Sequence, residues 1–145
     1  MRFHFPIIII DEDFRSENAS GLGIRALADA IEKEGLDVLG VTSYGDLTSF
    51  AQQQSRASAF ILSIDDEEFT PGPELDPAVL NLRAFVEEIR HKNPDIPIFL
   101  HGETRTSRHI PNDILRELHG FIHMYEDTPE FIARHVVREA RAYLD

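Results

Sequence analysis

Ala59-Phe60-Ile61-Leu62-Ser63-Ile64 is a short, continuous apolar run of the kind found at the centre of a parallel β-sheet. A strand that is covered by helices on both faces is apolar throughout, whereas a strand with one solvated face alternates apolar and polar residues. Similar runs occur before and after it, at residues 5–10, 38–41, 96–100 and 120–124. Together these runs predict five strands of one sheet.

Helical patterns of apolar residues separate the strands. The first ends at Gly35, a weaker one lies near residues 47–54, and the third begins with Asp76 and Pro77 as cap and first-turn residue. A short helix is predicted near Pro111, and the last helix opens with Thr128 and Pro129. The apolar members of the four stronger patterns are, in chain order, Leu22, Leu27, Ala28 and Ile31; Leu82, Phe85, Val86 and Ile89; Ile114, Leu115 and Leu118; and Ile132, Val136, Ala140 and Tyr143 or Leu144.

Strands that alternate with helices predict an α/β fold of the (βα)5 type. Right-handed crossovers leave few topologies, and the commonest for five strands is the flavodoxin-like or receiver-like order 2-1-3-4-5. The longest loop, residues 65–77, is acidic and rich in proline, but no stretch has the composition of a linker between domains. We therefore expect residues 1–145 to form a single domain.

The composition of the chain excludes several classes of partner and site. The formal net charge of −12 argues against nucleic acid and anionic lipid as partners, and it predicts pH-dependent self-association as carboxylates protonate. The chain has no cysteine, which excludes disulfides, zinc-thiolate sites and a thiol nucleophile. The run Ile7 to Ile10 is too short for a signal peptide and precedes an acidic triplet, so we expect a cytoplasmic protein.

The carboxyl edge of the predicted sheet is where such folds bind ligands. Asp11, Glu12 and Asp13 follow the first strand, where receiver domains hold Mg²⁺. The rest of that site does not match: the phosphoacceptor position falls on Ile64 with Asp65 one place late, and the hydroxyl position falls near Gly102. The lysine position falls near Met124 or Tyr125. We interpret Asp11 and Asp13 as solvated loop residues.

The sequence also lacks the motifs of dinucleotide-binding, serine-hydrolase and metal-binding sites. Residues 20–23, Ser-Gly-Leu-Gly, do not complete a dinucleotide fingerprint, and no Gly-x-Ser-x-Gly elbow occurs. The histidines are scattered over different elements without metal-binding spacing. His101 and His123 end adjacent predicted strands and could approach each other, but we expect partly buried, hydrogen-bonded side chains. We predict no catalytic, cofactor or metal site in this chain.

Two segments carry a resemblance to a known family. Residues 96–105 read I-P-I-F-L-H-G-E-T-R, and residues 121–133 read F-I-H-M-Y-E-D-T-P-E-F-I-A. The first resembles the fourth strand and following turn of the bacterial ornithine/lysine/arginine decarboxylases. The second resembles their F-I-x-x-x-E-D-T-x-x-F-I-A segment. The likeness covers essentially the whole chain, is greatest to the arginine decarboxylase branch, and identifies it with the N-terminal wing domain of that family.

The resemblance implies a flavodoxin-like, non-catalytic domain for assembly and regulation of a pyridoxal-phosphate-dependent enzyme that decarboxylates a basic amino acid and supports acid resistance. The partners it implies are the rest of the decarboxylase and other copies of it. As the contact surface we predict Glu103, Thr104, Arg105 and Arg108, which mix both charges after the fourth strand. Two alternatives stay open: a free-standing, degenerate receiver-like interaction domain, and a small flavodoxin-like enzyme or flavin binder.

Overall fold

The computed structural model describes residues 5–43, 57–63, 77–102, 110–123 and 126–144. Five strands form one parallel sheet in the order β2-β1-β3-β4-β5, which confirms the predicted topology. The strands are β1 (Ile7–Ile10), β2 (Val38–Val41), β3 (Ala59–Ser63), β4 (Ile98–Gly102) and β5 (Gly120–His123). The described helices are α1 (Ala19–Lys33), α2 (Pro77–Lys92), α3 (Asn112–Leu115) and α4 (Pro129–Leu144). The weaker helix predicted near residues 47–54 lies outside the described residues.

Each strand sends alternate side chains to opposite faces of the sheet, so there are two hydrophobic cores. Ile7 and Ile9 pack with α1 and α4 on one face, whereas Ile8 and Ile10 pack with α2 and α3 on the other. The predicted stripe of α2 is fully confirmed, since Leu82, Phe85, Val86 and Ile89 are all buried. The continuous apolar strands are thus explained by burial on both faces.

Helix α1 begins and ends by recognisable capping. The side chain of Asn18 accepts a hydrogen bond from the backbone N–H of Gly21 at 2.8 Å. Gly35 follows the helix with φ of +100°, a conformation that glycine adopts without strain, as the sequence predicted. Our assignment of Leu22 to the buried stripe is wrong. Leu22 is 54% exposed and Ile24 takes the buried place, because the helix begins three residues before Leu22 and Ile24 shares a face with Leu27, Ala28 and Ile31.

Two strand boundaries differ from the prediction because of proline. We placed the first strand at residues 5–10 and the fourth at 96–100, but β1 begins at Ile7 and β4 at Ile98. Pro6 and Pro97 have no N–H to donate to a ladder. The fourth strand also extends two residues further than predicted, through His101 and Gly102, which pair with the neighbouring strands. Ile64 and Met124, which we had placed at the ends of the third and fifth strands, lie outside the described residues.

The last two helices agree with their patterns apart from Leu115. Thr128 Oγ1 accepts a hydrogen bond from the N–H of Phe131 at 3.2 Å, which confirms the predicted cap of α4. Tyr143, not Leu144, packs against a core, and Ile114, not Leu115, is buried in α3. Within the described ranges, no helix is both long enough and apolar enough to cross a bilayer.

Candidate functional site

The loop between β1 and α1 closes over the carboxyl edge of the sheet. It turns tightly, because the N–H of Phe14 bonds the carbonyl of Asp11 at 3.0 Å. A Cβ added at Gly40 of β2 would overlap the ring of Phe14, so glycine is what lets that ring lie on the strand. Arg25 Nη1 donates to the carbonyls of Phe14 and Ser16, each at 2.7 Å. The loop is therefore held by its neighbours on both sides.

Asp11 lies beneath this loop and is only 5% exposed. Its Oδ1 accepts from the N–H of Asp13 at 2.9 Å, and its Oδ2 accepts from Ser63 Oγ at 2.9 Å. Our interpretation of Asp11 as a solvated loop residue is wrong. The carboxylate ties the end of β1 to the end of β3, whereas Asp13 is only partly buried.

His101 completes this cluster from β4. Its Nδ1 lies 3.9 Å from Asp11 Oδ2, and the residue is 8% exposed. The predicted partly buried histidine is thus more deeply buried than we expected. In the strand register His101 lies opposite Ser63 on one side, which explains how Asp11, Ser63 and His101 meet at one point of the sheet edge.

The electrostatics of the cluster are set mainly by burial. Loss of water raises the pKa of the Asp11 carboxyl above its usual value of 3.8. The hydrogen bonds from Asp13 and Ser63 and the nearby imidazole of His101 oppose that shift, and the charge of Asp13 adds to it. The pKa remains raised on balance, so Asp11 takes up a proton more readily than an exposed aspartate.

A narrow cleft opens beside His101, between the first turns of α1 and α4. Its volume is about 60 Å³. His101 and His123 both line it, which confirms that the two histidines approach the same place from adjacent strands. The remaining lining residues are Ala19, Ser20, Gly23, Ile24 and Leu27 from the α1 side and Asp127, Pro129 and Ile132 from the α4 side.

At the carboxyl edge of the sheet, titratable side chains are packed between the loop and the strand ends. Among the described residues, no group of three or more histidine, aspartate or glutamate side chains is arranged to hold a metal ion. Gly21 of the Ser-Gly-Leu-Gly segment lies within α1, and a Cβ there would overlap the backbone of Asp13 and Ser16. That glycine permits close packing of the loop on the helix.

Several predicted site residues fall outside the described part of the chain. They include the four residues of the proposed contact surface, Glu103, Thr104, Arg105 and Arg108, and also Asp65 and Tyr125. Our prediction for the contact surface therefore stays a prediction.

Two features were missed altogether: the hydrogen bond between Ser63 and Asp11, and the exposure of Leu22 and Phe131. A serine ending an otherwise apolar strand was the available signal for the first.

Family and sequence comparisons agree with the resemblance. The model of the N-terminal domain of Orn/Lys/Arg decarboxylases matches residues 19–143. Lysine decarboxylase LdcA of Pseudomonas aeruginosa is 26% identical over 143 residues, which is 97% of this chain and 18% of that protein. Biodegradative arginine decarboxylase of Escherichia coli K12 is 25% identical over 139 residues, 94% of this chain and 18% of that protein. The two identities do not separate a lysine branch from an arginine branch.

Solved structures give the same picture of the fold. Lysine decarboxylase A of P. aeruginosa superposes with a TM-score of 0.76 and 24% identity, over 99% of this chain and 19% of that one. A response regulator receiver domain from Clostridium thermocellum superposes with a TM-score of 0.64 at 12% identity, over 95% of each chain. These likenesses show the fold alone, and the fold is one that decarboxylase N-terminal domains and receivers share.

Proposed function

Because the chain belongs to the Orn/Lys/Arg decarboxylase N-terminal domain family, we propose that it is a non-catalytic assembly and regulatory domain of a larger decarboxylase. The observation that carries the proposal is the extent of the match. Nearly all of this chain aligns, yet it spans less than a fifth of the length of the curated relatives. In those relatives most of the polypeptide lies outside the part that this chain resembles.

The parent enzyme in this proposal uses pyridoxal phosphate to remove the carboxyl group of arginine, lysine or ornithine. The enzyme would act in the cytoplasm, where the proton that decarboxylation consumes would contribute to acid resistance. Residues 1–145 would form one domain, whose partners are the rest of the decarboxylase and other copies of it.

The lysines of this chain do not fit the cofactor. Pyridoxal phosphate enzymes bind the cofactor through a lysine whose pKa is lowered by desolvation or by neighbouring charge. The chain has two lysines, Lys33 and Lys92, and both are exposed on helices. Lys92 Nζ is ion-paired with Glu88 Oε1 at 3.3 Å. We therefore assign the cofactor to the remainder of the parent enzyme and derive no catalytic step in this domain.

The alternatives have less support. A free-standing receiver-like domain rests on likenesses of low identity, which concern the fold only. At the carboxyl edge of the sheet, the last described residue of β3 is Ser63, and its hydroxyl donates a hydrogen bond to Asp11. For a flavin binder, the described cleft is too small, since cofactor sites measure roughly 300–1,000 Å³.

Deletion of residues 1–145 from the parent decarboxylase tests the proposal. We expect the shortened enzyme to keep its pyridoxal phosphate absorbance and its turnover per active site, because the reacting groups lie elsewhere. We expect its sedimentation profile to shift to smaller species at acidic and neutral pH. A shortened enzyme that assembles like the full-length protein would contradict the assembly role, and one that loses its cofactor would contradict the non-catalytic role.

The predicted contact surface has its own test in the same enzyme. Replacement of Arg105 and Arg108 by glutamate should change the distribution of oligomers if this loop lies at a contact. An unchanged sedimentation profile at both acidic and neutral pH would remove these residues from the proposal without affecting the rest of it.

A further inference from the structure

The buried aspartate and histidine at the carboxyl edge of the sheet lie close enough to affect each other's charge. Asp11 is 5% exposed and His101 is 8% exposed, and 3.9 Å separates Asp11 Oδ2 from His101 Nδ1. The Ser63 hydroxyl of β3 and the Val41 carbonyl of β2 also bind Asp11, and neither carries a charge. Two titratable groups at this distance take up protons as a pair, because the charge of one changes the proton affinity of the other.

The net charge of the pair depends on one proton. With none bound, the carboxylate of Asp11 faces a neutral imidazole and the site holds one net negative charge. With one bound, the site holds either an ion pair or two neutral groups, and both have no net charge. A net charge in a site that excludes water is unfavourable. Burial accordingly raises the pKa of the Asp11 carboxyl, and the nearby His101 opposes that shift. One shared proton thus favours the buried arrangement.

The loop that joins β1 to α1, residues 11–18, keeps this pair buried. The N–H of Asp13 donates to Asp11 Oδ1 at 2.9 Å, and the N–H of Phe14 donates to the carbonyl of Asp11 at 3.0 Å. If the loop lifts from the sheet, water reaches the carboxylate and its distance from His101 grows. A proton that the closed loop holds more tightly than the open loop stabilises the closed loop.

Charged groups on the loop and on α1 do not reverse this effect. The charge of Asp13 adds to the rise in the pKa of Asp11 and so favours uptake of the proton. Glu12 and Glu17 are exposed to water. Arg25 donates to two loop carbonyls, each at 2.7 Å, and a guanidinium keeps its charge throughout the pH range in which histidine titrates. The contribution of Arg25 to holding the loop is therefore independent of pH.

The other described charges beside the pair belong to β5 and to the start of α4. His123 and Asp127 line the same cleft as His101. His123 Nδ1 lies 4.0 Å from Glu126 Oε2. A proton on His123 is thus balanced by a nearby carboxylate, and the effect of a proton on the buried pair keeps its sign.

We propose that one proton, shared between Asp11 and His101, locks this loop onto the carboxyl edge of the sheet as the pH falls. We call this arrangement the loop latch. The loop is closed most firmly in acid, and it opens more often as the pH rises through the range in which histidine titrates. The loop latch lies within this domain and needs no other part of a parent enzyme, so it goes beyond the proposed function and does not rest on it.

Amide hydrogen exchange of the 145-residue chain, followed by NMR from about pH 8 to about pH 5, tests the loop latch. The exchange rate of an unstructured peptide at the same pH, divided by the measured rate, gives a protection factor. The reporter is the N–H of Phe14, because its acceptor is a backbone carbonyl that side-chain substitutions leave in place. The reference is the N–H of Phe60, which donates to the carbonyl of Pro97 at 2.9 Å and reports opening of the whole domain.

In the wild type, we expect the protection of Phe14, relative to that of Phe60, to rise on acidification by at least about threefold. A factor of three corresponds to a proton affinity that is higher in the closed loop than in the open loop by about half a pH unit. A relative protection that stays constant over this range would overturn the proposal, and that result needs no variant.

Two substitutions assign the effect to the pair. In Asp11→Asn, a proton on His101 gives the buried site a net positive charge, so we expect the protection of Phe14 to fall on acidification. His101→Gln removes the imidazole, so the rise should be smaller than in the wild type. The matched control is His91→Gln, which replaces an exposed histidine on α2 and should respond like the wild type.

The variants also show what would contradict the loop latch. A rise of wild-type size in both Asp11→Asn and His101→Gln would show that other groups cause it and would overturn the proposal. If one variant does not fold, as judged by circular dichroism, the other variant and the wild type still decide the outcome. These measurements use this chain alone, whereas the deletion test uses the parent enzyme, so either proposal can fail while the other stands.

Discussion

Replacement of Asp11 by alanine should destabilise the domain, because two donors at the sheet edge lose their acceptor. The carboxylate accepts from Ser63 Oγ and from the N–H of Asp13, both at 2.9 Å. A lost hydrogen bond of this kind costs about 1 kcal/mol, so the two together correspond to about 2 kcal/mol of unfolding free energy at pH 7. At roughly 2–4 °C per kcal/mol for a chain of this size, the melting temperature should fall by about 4–8 °C.

Asp11→Asn separates the hydrogen bonds from the charge. Asparagine keeps a carbonyl oxygen that can accept from Ser63 or from Asp13, so we expect a loss below about 1 kcal/mol. It also removes the titration. Because burial raises the pKa of Asp11 above 3.8, the folded state binds the proton more tightly than the unfolded state. The resulting stability is fully present below pH 3.8 and is lost as the pH rises through the folded-state pKa.

The assay is urea unfolding of the 145-residue chain at a series of pH values, followed by circular dichroism. Relative to Asp11→Asn, the wild type should gain stability as the pH falls through the folded-state pKa of Asp11 toward 3.8. An alanine variant as stable as the wild type would show that the two hydrogen bonds to Asp11 do not stabilise the fold. A wild type that loses stability on acidification relative to Asp11→Asn would show that the pKa of Asp11 is not raised.

Three further predictions concern packing and charge elsewhere in the described structure. Gly40→Val should destabilise the domain by about 1–3 kcal/mol in urea unfolding, because its side chain would overlap the ring of Phe14; unchanged stability would show that the ring can move aside. Gly23→Ala should leave stability unchanged or raise it by up to about 1 kcal/mol, because Gly23 lies inside α1 and an added Cβ would contact nothing within 4 Å. A clear loss of stability would mean that the side of α1 facing the cleft is more crowded than described. Arg83 Nε donates to Asp113 Oδ2 at 2.8 Å and lowers the pKa of Asp113, so Arg83→Gln should raise that pKa in an NMR titration. The pair stabilises the fold above the unfolded-state pKa of Asp113, and this contribution is lost as the pH falls through the depressed value; an unmoved titration would show that the ion pair does not form in solution.

The topology of the fold was predictable because strands that are buried on both faces appear in the sequence as continuous apolar runs. Every described strand falls within or close to its apolar run, and the stripe of α2 agreed residue by residue. The two errors in where a strand begins have one cause. An apolar run was equated with a strand, although Pro6 and Pro97 are apolar residues that cannot donate to the ladder.

The candidate site was less predictable, since it depends on contacts between residues that are distant in the chain. Ser63 and Asp11 are 52 positions apart, and only the order of β1, β3 and β4 brings them together with His101. The exposure of Leu22 could not be read from helical spacing, because the spacing also accommodates a stripe that starts at Ile24. Whether an acidic triplet is solvated or buried likewise depends on what covers it, here the loop that Phe14 and Arg25 hold in place.

We propose that this chain is one domain of a larger decarboxylase, and the first measurement is to sequence the open reading frame past the codon for Asp145. We expect the frame to continue for several hundred residues and to encode a lysine within a cofactor-binding motif of the decarboxylase family. A frame that stops at Asp145 would rule out a larger decarboxylase and would favour a free-standing interaction domain with the same fold.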